Sequence, residues 1–243
     1  MQNKPTYKRF GERAILIAWD TEISVAVSED ILRFQNKILK DKKEHILDII
    51  AAYTSLTIVF KEEIKDFEKI VLELQTIYEA VFLSVKIQKY IWEIPVCYHN
   101  EFGIDLQEMA QYSGLETSEI IKIHSEKIYN IHFIGFLPGF LYLGGLDKRI
   151  YFNRKENPRL KVPKGSVAIG GKQTGIYPTE TSGGWQIIGK SPVNFFNINN
   201  KQPCFAKAGD FVKFTSISKA AYHLLKKEVD ENLYKLSKTL YDD

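Results

Sequence analysis

Only two cysteines occur in the 243 residues, Cys97 and Cys204, and no C-x-x-C spacing joins them. A disulfide scaffold and a zinc knuckle are thereby excluded. Charge of one sign is also lacking, with 33 Lys and Arg against 30 Asp and Glu for a net +3. A chain whose main partner is a nucleic-acid backbone needs a larger basic excess. Long apolar runs are absent from the start of the chain, where AILIAW ends at Asp20. That is shorter than a secretion-signal core and far below the roughly 18 residues of a membrane span. The remaining composition, 44% hydrophobic and 26% charged, is that of a soluble globular protein. A reducing cytoplasm is the expected setting.

Several catalytic signatures are missing as well. Ser166 lacks the G-x-S-x-G elbow and neither cysteine sits in an electropositive motif, so a covalent nucleophile is not expected. The run Gly170-Gly171-Lys172-Gln173-Thr174-Gly175 fails as a phosphate loop. Ser166 stands where a glycine is required, and Gln173 where a Ser or Thr must follow the lysine. It reads either as a tight β-turn or as a loop whose N–H groups approach an anion or carbonyl. His124 and His132 are eight apart with no third ligand near, so no metal site is expected.

What is present falls into two textures. In the first part, Ile31, Phe34, Ile38 and Leu39 recur at helical spacing, with Ser28 as the expected N-cap and two acids in the first turn. Ile64, Phe67, Ile70, Val71, Leu74, Ile77 and Tyr78 make a second amphipathic helix. AILIAW, HILDII, SLTIVF and FLSVKIQKYIW read as strands. The order strand, helix, two strands, helix, strand predicts a split βαβ sandwich of the ferredoxin-like type. Beyond Pro95, eleven of the 15 glycines and four of the eight prolines crowd between Gly135 and Gly189. Between them lie the short strand-like runs IYF, SVAIG, WQIIG and VNFFNI, which argue for a β-barrel or sandwich. The fold class is therefore α+β, with a boundary near 84–94 that gives domains over 1–86 and 87–243. DLQEMAQYSGLETSEIIKIHS reads as two short helices. Acids among its lysines make it an ordinary helical hairpin rather than a DNA reader. A last helix is expected over SKAAYHLLKKEVDENLYKLSKTL.

His124, at the end of that hairpin, is suited by its ordinary pKa to proton transfer, or else to capping the helix C-terminus. The segment from Phe133 to Phe196 combines aromatics with Arg154, Arg159, Lys161, Lys164, Lys172 and Lys190. Such a surface suits a carboxylate or phosphate ligand, or else consists of barrel turns with solvated lysines.

The same segment resembles the 5-oxoprolinase B-subunit family, whose members are also called allophanate hydrolase subunit 1 or Kip-type kinase inhibitors. G-F-x-P-G-F-x-Y-L is met by Gly135, Phe136, Pro138, Gly139, Phe140, Tyr142 and Leu143. N-P-R-x-x-V-P-x-G-S-V-x-I runs from Asn157 to Ile169, Q-T-G-I-Y-P from Gln173 to Pro178, and Gly183-Gly184-Trp185 and Ile187-Ile188-Gly189 follow. Glu101-Phe102-Gly103, Asp105-Leu106 and His124 also fall on the pattern. The chain departs from it at Tyr98-His99-Asn100, at Ser182, and at Gly189-Lys190-Ser191-Pro192, where the family favours G-R-T-P.

The resemblance implies a cyclophilin-like barrel after the α+β domain. It implies work with subunits A and C, opening 5-oxo-L-proline to L-glutamate at the expense of ATP, which is bound by the complex. The alternative it leaves open is a regulator that binds and inhibits a sensor histidine kinase. On the enzymatic reading His124 carries the proton, and Phe136, Phe140, Tyr142, Arg159, Gln173, Tyr177, Trp185 and Lys190 contact the substrate. No membrane, nucleic-acid or metal partner is expected.

Overall fold

The computed structural model describes residues 4–80 and 88–242. The expected domain junction and the first part of the expected strand over 82–92 lie outside the described residues. The chain divides into two compact units, 1–87 and 88–243.

The first unit contains β1 (Thr6–Arg9), β2 (Ala14–Ala18), α1 (Val25–Lys42), β3 (Ile46–Ala51), β4 (Ser55–Phe60) and α2 (Phe67–Glu79). Its sheet runs β1-β2-β4-β3 with antiparallel neighbours. β4 therefore separates β2 from β3, which run parallel and are joined through α1. Ile31, Phe34 and Ile38 of α1 and Leu74 and Ile77 of α2 bury against Ile15, Ile17, Leu56 and Ile58. The helical spacing predicted that face. It misplaced the start of α1, which is capped by Ser24 accepting from the Val27 N–H and has no acid in its first turn. Burying Val27 draws the helix one turn earlier, so Ser28 lies inside it, its hydroxyl donating to the Ser24 carbonyl at 3.2 Å. α2 starts later than the periodicity suggests because Asp66 caps it, accepting from Lys69 N–H.

The second unit contains β5 (Tyr90–Val96), α3 (Leu106–Ser113), α4 (Thr117–Glu126), β6 (Ile128–Ile134), β7 (Leu141–Gly144), β8 (Arg159–Val162) and β9 (Ser166–Gly170). It continues with β10 (Gln173–Ile176), β11 (Thr181–Gly183), β12 (Gln186–Lys190), β13 (Phe211–Ser216), α5 (Lys219–Asp230) and β14 (Lys238–Leu240). Eight strands form one sheet in the order β12-β9-β10-β7-β6-β13-β5-β14, and β8 pairs with β11 in a separate ribbon. All neighbours are antiparallel except β5 and β13, which run parallel.

The sheet is an open ladder rather than a closed barrel. β5 is occupied by β13 on one side and β14 on the other. Among the described residues of this stretch, Cys97, just beyond β5, reaches β12, exchanging two 2.9 Å backbone hydrogen bonds with Lys190.

Three other expectations are corrected. IYF is not a strand: Lys148–Ile150 is a 3-10 turn and Phe152 makes a single bridge to Gly171. VNFFNI lies outside the strands, its adjacent Phe195 and Phe196 breaking the alternation a strand needs. The last helix stops at Asp230, where Asn232 turns left-handed with φ 58, and Lys238–Leu240 joins the sheet instead.

β7, β9, β10 and β12 are covered on both faces. Leu141, Leu143, Val167, Ile169, Ile176 and Ile188 enter the main core. Phe140, Ala168, Tyr177, Trp185 and Ile187 form a second cluster on the other face with Val162 of β8. Coverage on both sides explains the unbroken apolar run SVAIG.

Candidate functional site

Strand alternation places the aromatic residues of the motif together. Gln173, Gly175 and Tyr177 share the outer face of β10, while Thr174 and Ile176 point to the core. Phe140 lies at the centre of the outer face. Its ring centroid is 4.7 Å from Tyr142, 5.3 Å from Tyr177, 5.6 Å from Trp185 and 5.8 Å from Phe136. The glycines permit this packing. A Cβ at Gly170 would stand 2.5 Å from the Trp185 ring, and one at Gly183 would stand 2.4 Å from the Tyr177 hydroxyl oxygen.

Phe140 and Trp185, 2% and 7% exposed, form the floor. Tyr142 is half-buried, and Phe136 stands out at 66% exposure with φ 65. A left-handed aromatic residue costs about 1–3 kcal/mol, a strain that surrounding structure must hold. Exposed and strained together, Phe136 is a rim residue rather than a packing one.

A loop over residues 151–158 closes one side. Phe152 and Gly171 exchange backbone hydrogen bonds of 3.2 and 2.8 Å, Lys155 N–H donates to the Gly184 carbonyl at 2.7 Å, and Gln186 donates to the Asn153 carbonyl at 2.9 Å. The loop thereby holds Arg154, exposed and without an ion pair among the described residues, where its charge acts on both the Tyr142 and Tyr177 phenols. Burial raises both phenols above their ordinary pKa, and Arg154 opposes the rise. The sequence shows Arg154 only as one basic residue among several.

Arg159 anchors that side. Its Nη2 donates to the carboxylate of Asp105 at 2.5 Å, and Asp105, 3% exposed, also accepts from the Ile187 N–H at 2.6 Å and pairs with Lys155 at 3.3 Å. One carboxylate thus ties α3, β8, β12 and the loop.

His124 has no exposed surface. Its ring stacks 4.6 Å from Phe214, Nδ1 lies 2.8 Å from the Tyr98 hydroxyl, and Nε2 lies 2.9 Å from Thr174 Oγ1. The Thr174 proton is directed at the Ala168 carbonyl, 3.1 Å away. Thr174 must then accept from Nε2–H, which leaves Nδ1 to accept from Tyr98. Burial lowers the imidazole to about 3. In this chain the ring is neutral, sealed and fully bonded, with no surface from which to pass a proton. It is a positioning residue that fixes Tyr98 and Thr174.

Lys190 is not part of the basin. It ends β12, whereas Trp185 precedes that strand. The Gly170–Gly175 run is a β9–β10 hairpin, and the Gly171 N–H is already given to Phe152. A separate groove of about 410 Å³ is lined by Glu119, Lys122, Lys127, Asp147 and Arg149 among others. Asp147 and Arg149 in it pair at 2.9 Å. Among the described residues no three His, Cys, Asp or Glu side chains are grouped to hold a metal, and no helix is long and apolar enough to cross a membrane.

A family model described as carboxyltransferase domain, subdomain C and D, matches residues 5–206. The 5-oxoprolinase B-subunit of Bacillus subtilis is 38% identical over 91% of this chain and 96% of its own. The protein of that name from Haemophilus influenzae is 37% identical over 84% and 93%. The crystal structure of K. lactis urea amidolyase superposes with a TM-score of 0.82 at 16% identity, covering 98% of this chain and 16% of that one. That last likeness establishes a shared mixed α+β fold alone.

Proposed function

The chain belongs to the carboxyltransferase-domain family, subdomain C and D, as the B-type member of 5-oxoprolinase, and from that premise we propose that it serves the ATP-dependent opening of 5-oxo-L-proline to L-glutamate. The observation that carries the reading is the near end-to-end match, in both directions, to relatives bearing that name. Those names favour the enzyme component over the kinase-binding regulator.

The aromatic basin supplies what this chain contributes. A five-membered lactam is flat enough to lie between the rings of Phe136 and Tyr142, above the floor of Phe140 and Trp185. Its carboxylate would meet Arg154, whose guanidinium fork suits a planar anion. Gln173, on the same face, can hydrogen-bond the amide. An unstrained amide resists water, and ATP supplies the activation by phosphorylating the lactam oxygen. The residues here bind and orient the ring and exclude water from one side.

With the Gly171 N–H engaged by Phe152, the glycine run offers no phosphate cradle, and nucleotide binding is assigned to the complex with subunits A and C. The first unit is read as ferredoxin-like and the second as an opened cyclophilin-like barrel. The protein would work in the cytoplasm.

Co-expression with the A and C subunits should give ATP-dependent glutamate release from 5-oxoproline, whereas the purified chain alone should not. Turnover by the isolated chain at an ordinary enzymic rate of about 1 per second or more would overturn the need for partners.

A second expectation concerns recognition. Arg154→Met in the assembled enzyme should raise KM for 5-oxoproline by about tenfold or more with a smaller change in kcat, because the charge-assisted contact is made before and during reaction. An unchanged KM would place the substrate carboxylate elsewhere.

A further inference from the structure

At the far end of β12, about 15 Å along the strand from Trp185, a second arrangement of charge is left over by the basin. Lys190 is half-buried. Its stem runs beside Gly165, and its ammonium lies 5.6 Å from the centre of the Phe102 ring. Phe102 in turn packs against Tyr222 at 4.5 Å and His223 at 6.3 Å.

The carboxylate that acts on Lys190, Glu101, is already paired with Lys219, and Lys226 is paired with Asp230. Lys190 makes no ion pair among the described residues. Lys226 repels it, and burial and that repulsion together lower its pKa, against the weaker pull of Glu101. An aromatic face compensates only part of the cost of desolvating an ammonium.

We propose that Lys190, with Phe102 as floor and His223 and Lys226 at the rim, forms a binding site for a phosphate group. A lysine is a compact point charge with three rotatable donors and binds phosphate as such, and the Lys226 charge acting on it favours a ligand that carries more than one negative charge. The phosphate is either free in solution or carried on a nucleotide. The site does not depend on how the aromatic basin is read, since it is separated from it by the length of a strand and can be tested on the chain alone.

The test is a titration of the isotopically labelled full chain with inorganic phosphate, and separately with ADP, at constant ionic strength, followed by backbone NMR shifts. Saturable shifts at Phe102, Gly189, Lys190 and Ser191 are expected. Lys190→Met should weaken them by about tenfold or more and Lys190→Arg should largely restore them. Tighter binding of ADP at the same residues would assign the phosphate to a nucleotide, and equal or weaker binding would assign it to free phosphate. Absence of saturable shifts, or a Lys190→Met chain that binds as the parent does, overturns the site. Should Lys190→Met fail to fold, the parent chain gives a second readout. Phosphate should slow acylation of Lys190 relative to other lysines, and acylation that phosphate leaves unchanged overturns the proposal as well.

Discussion

Asp105→Ala will destabilise the second unit by about 3–5 kcal/mol, the range found when one member of a buried ion pair is removed and the other stays behind. The carboxylate accepts from the Ile187 N–H and the Arg159 guanidinium and stands 3.3 Å from Lys155. Without it Arg159, whose Nη1 already has no partner among the described residues, keeps its charge with nothing to neutralise it. Asp105→Asn retains size and one acceptor and should fall between the parent and Ala. Urea unfolding followed by tryptophan fluorescence measures the loss. A change below about 1 kcal/mol would mean that solvent reaches this cluster and that Asp105 contributes no more than a surface pair.

Acid will weaken the same unit before its carboxylates titrate. His124 is lowered to about 3 and His132 to about 4, both by burial, against about 6.5 in an unfolded chain. The folded state therefore binds fewer protons than the unfolded state once the pH drops below about 6.5. Stability is fully present above that value and is lost as the pH falls toward the folded pKa values, by up to about 1.4 kcal/mol per pH unit for each histidine. Urea midpoints between pH 7 and 5 should show this slope. His124→Phe should remove one proton's share of it, while lowering overall stability because Tyr98 and Thr174 lose their partner. Equal midpoints at pH 7 and pH 5 in the parent would mean that the imidazoles are protonated in the folded state, and the neutral-ring account of His124 would fail.

What the sequence made legible follows from the range of the interactions. β4 and β9 coincide with SLTIVF and SVAIG because local composition alone selects an extended chain there. The aromatic basin was legible as a motif, since Phe136, Phe140 and Tyr142 fall within one short run and Tyr177 and Trp185 within another, each marked by its own glycines and prolines. The role of His124 was not, because its partners Tyr98 and Thr174 are 26 and 50 residues away and no local signal records its burial. Arg159 and Lys190 looked equivalent as cations. They part company through Asp105, 54 residues before Arg159, and through the lack of any such carboxylate for Lys190. The end of α5 was hidden for a similar reason, since β5 recruits residues that propensity assigns to a helix.

The parallel pair of β5 and β13 governs how this protein comes into being. Tyr90 N–H donates to Asp210, 120 residues later, and Trp92 donates to the same carboxylate. During synthesis at about 5–20 residues per second, β5 leaves the ribosome roughly 6 to 24 seconds before the strand that must lie beside it. Through that interval the apolar side chains of YIWEIPV have no native neighbour on that side. The second unit therefore cannot fold progressively from its beginning. It must wait for Asp210 and β13 and then condense at once, slowly, as befits a sheet built on distant pairings. Its most exposed moment is therefore in the nascent chain, before β13 has been made.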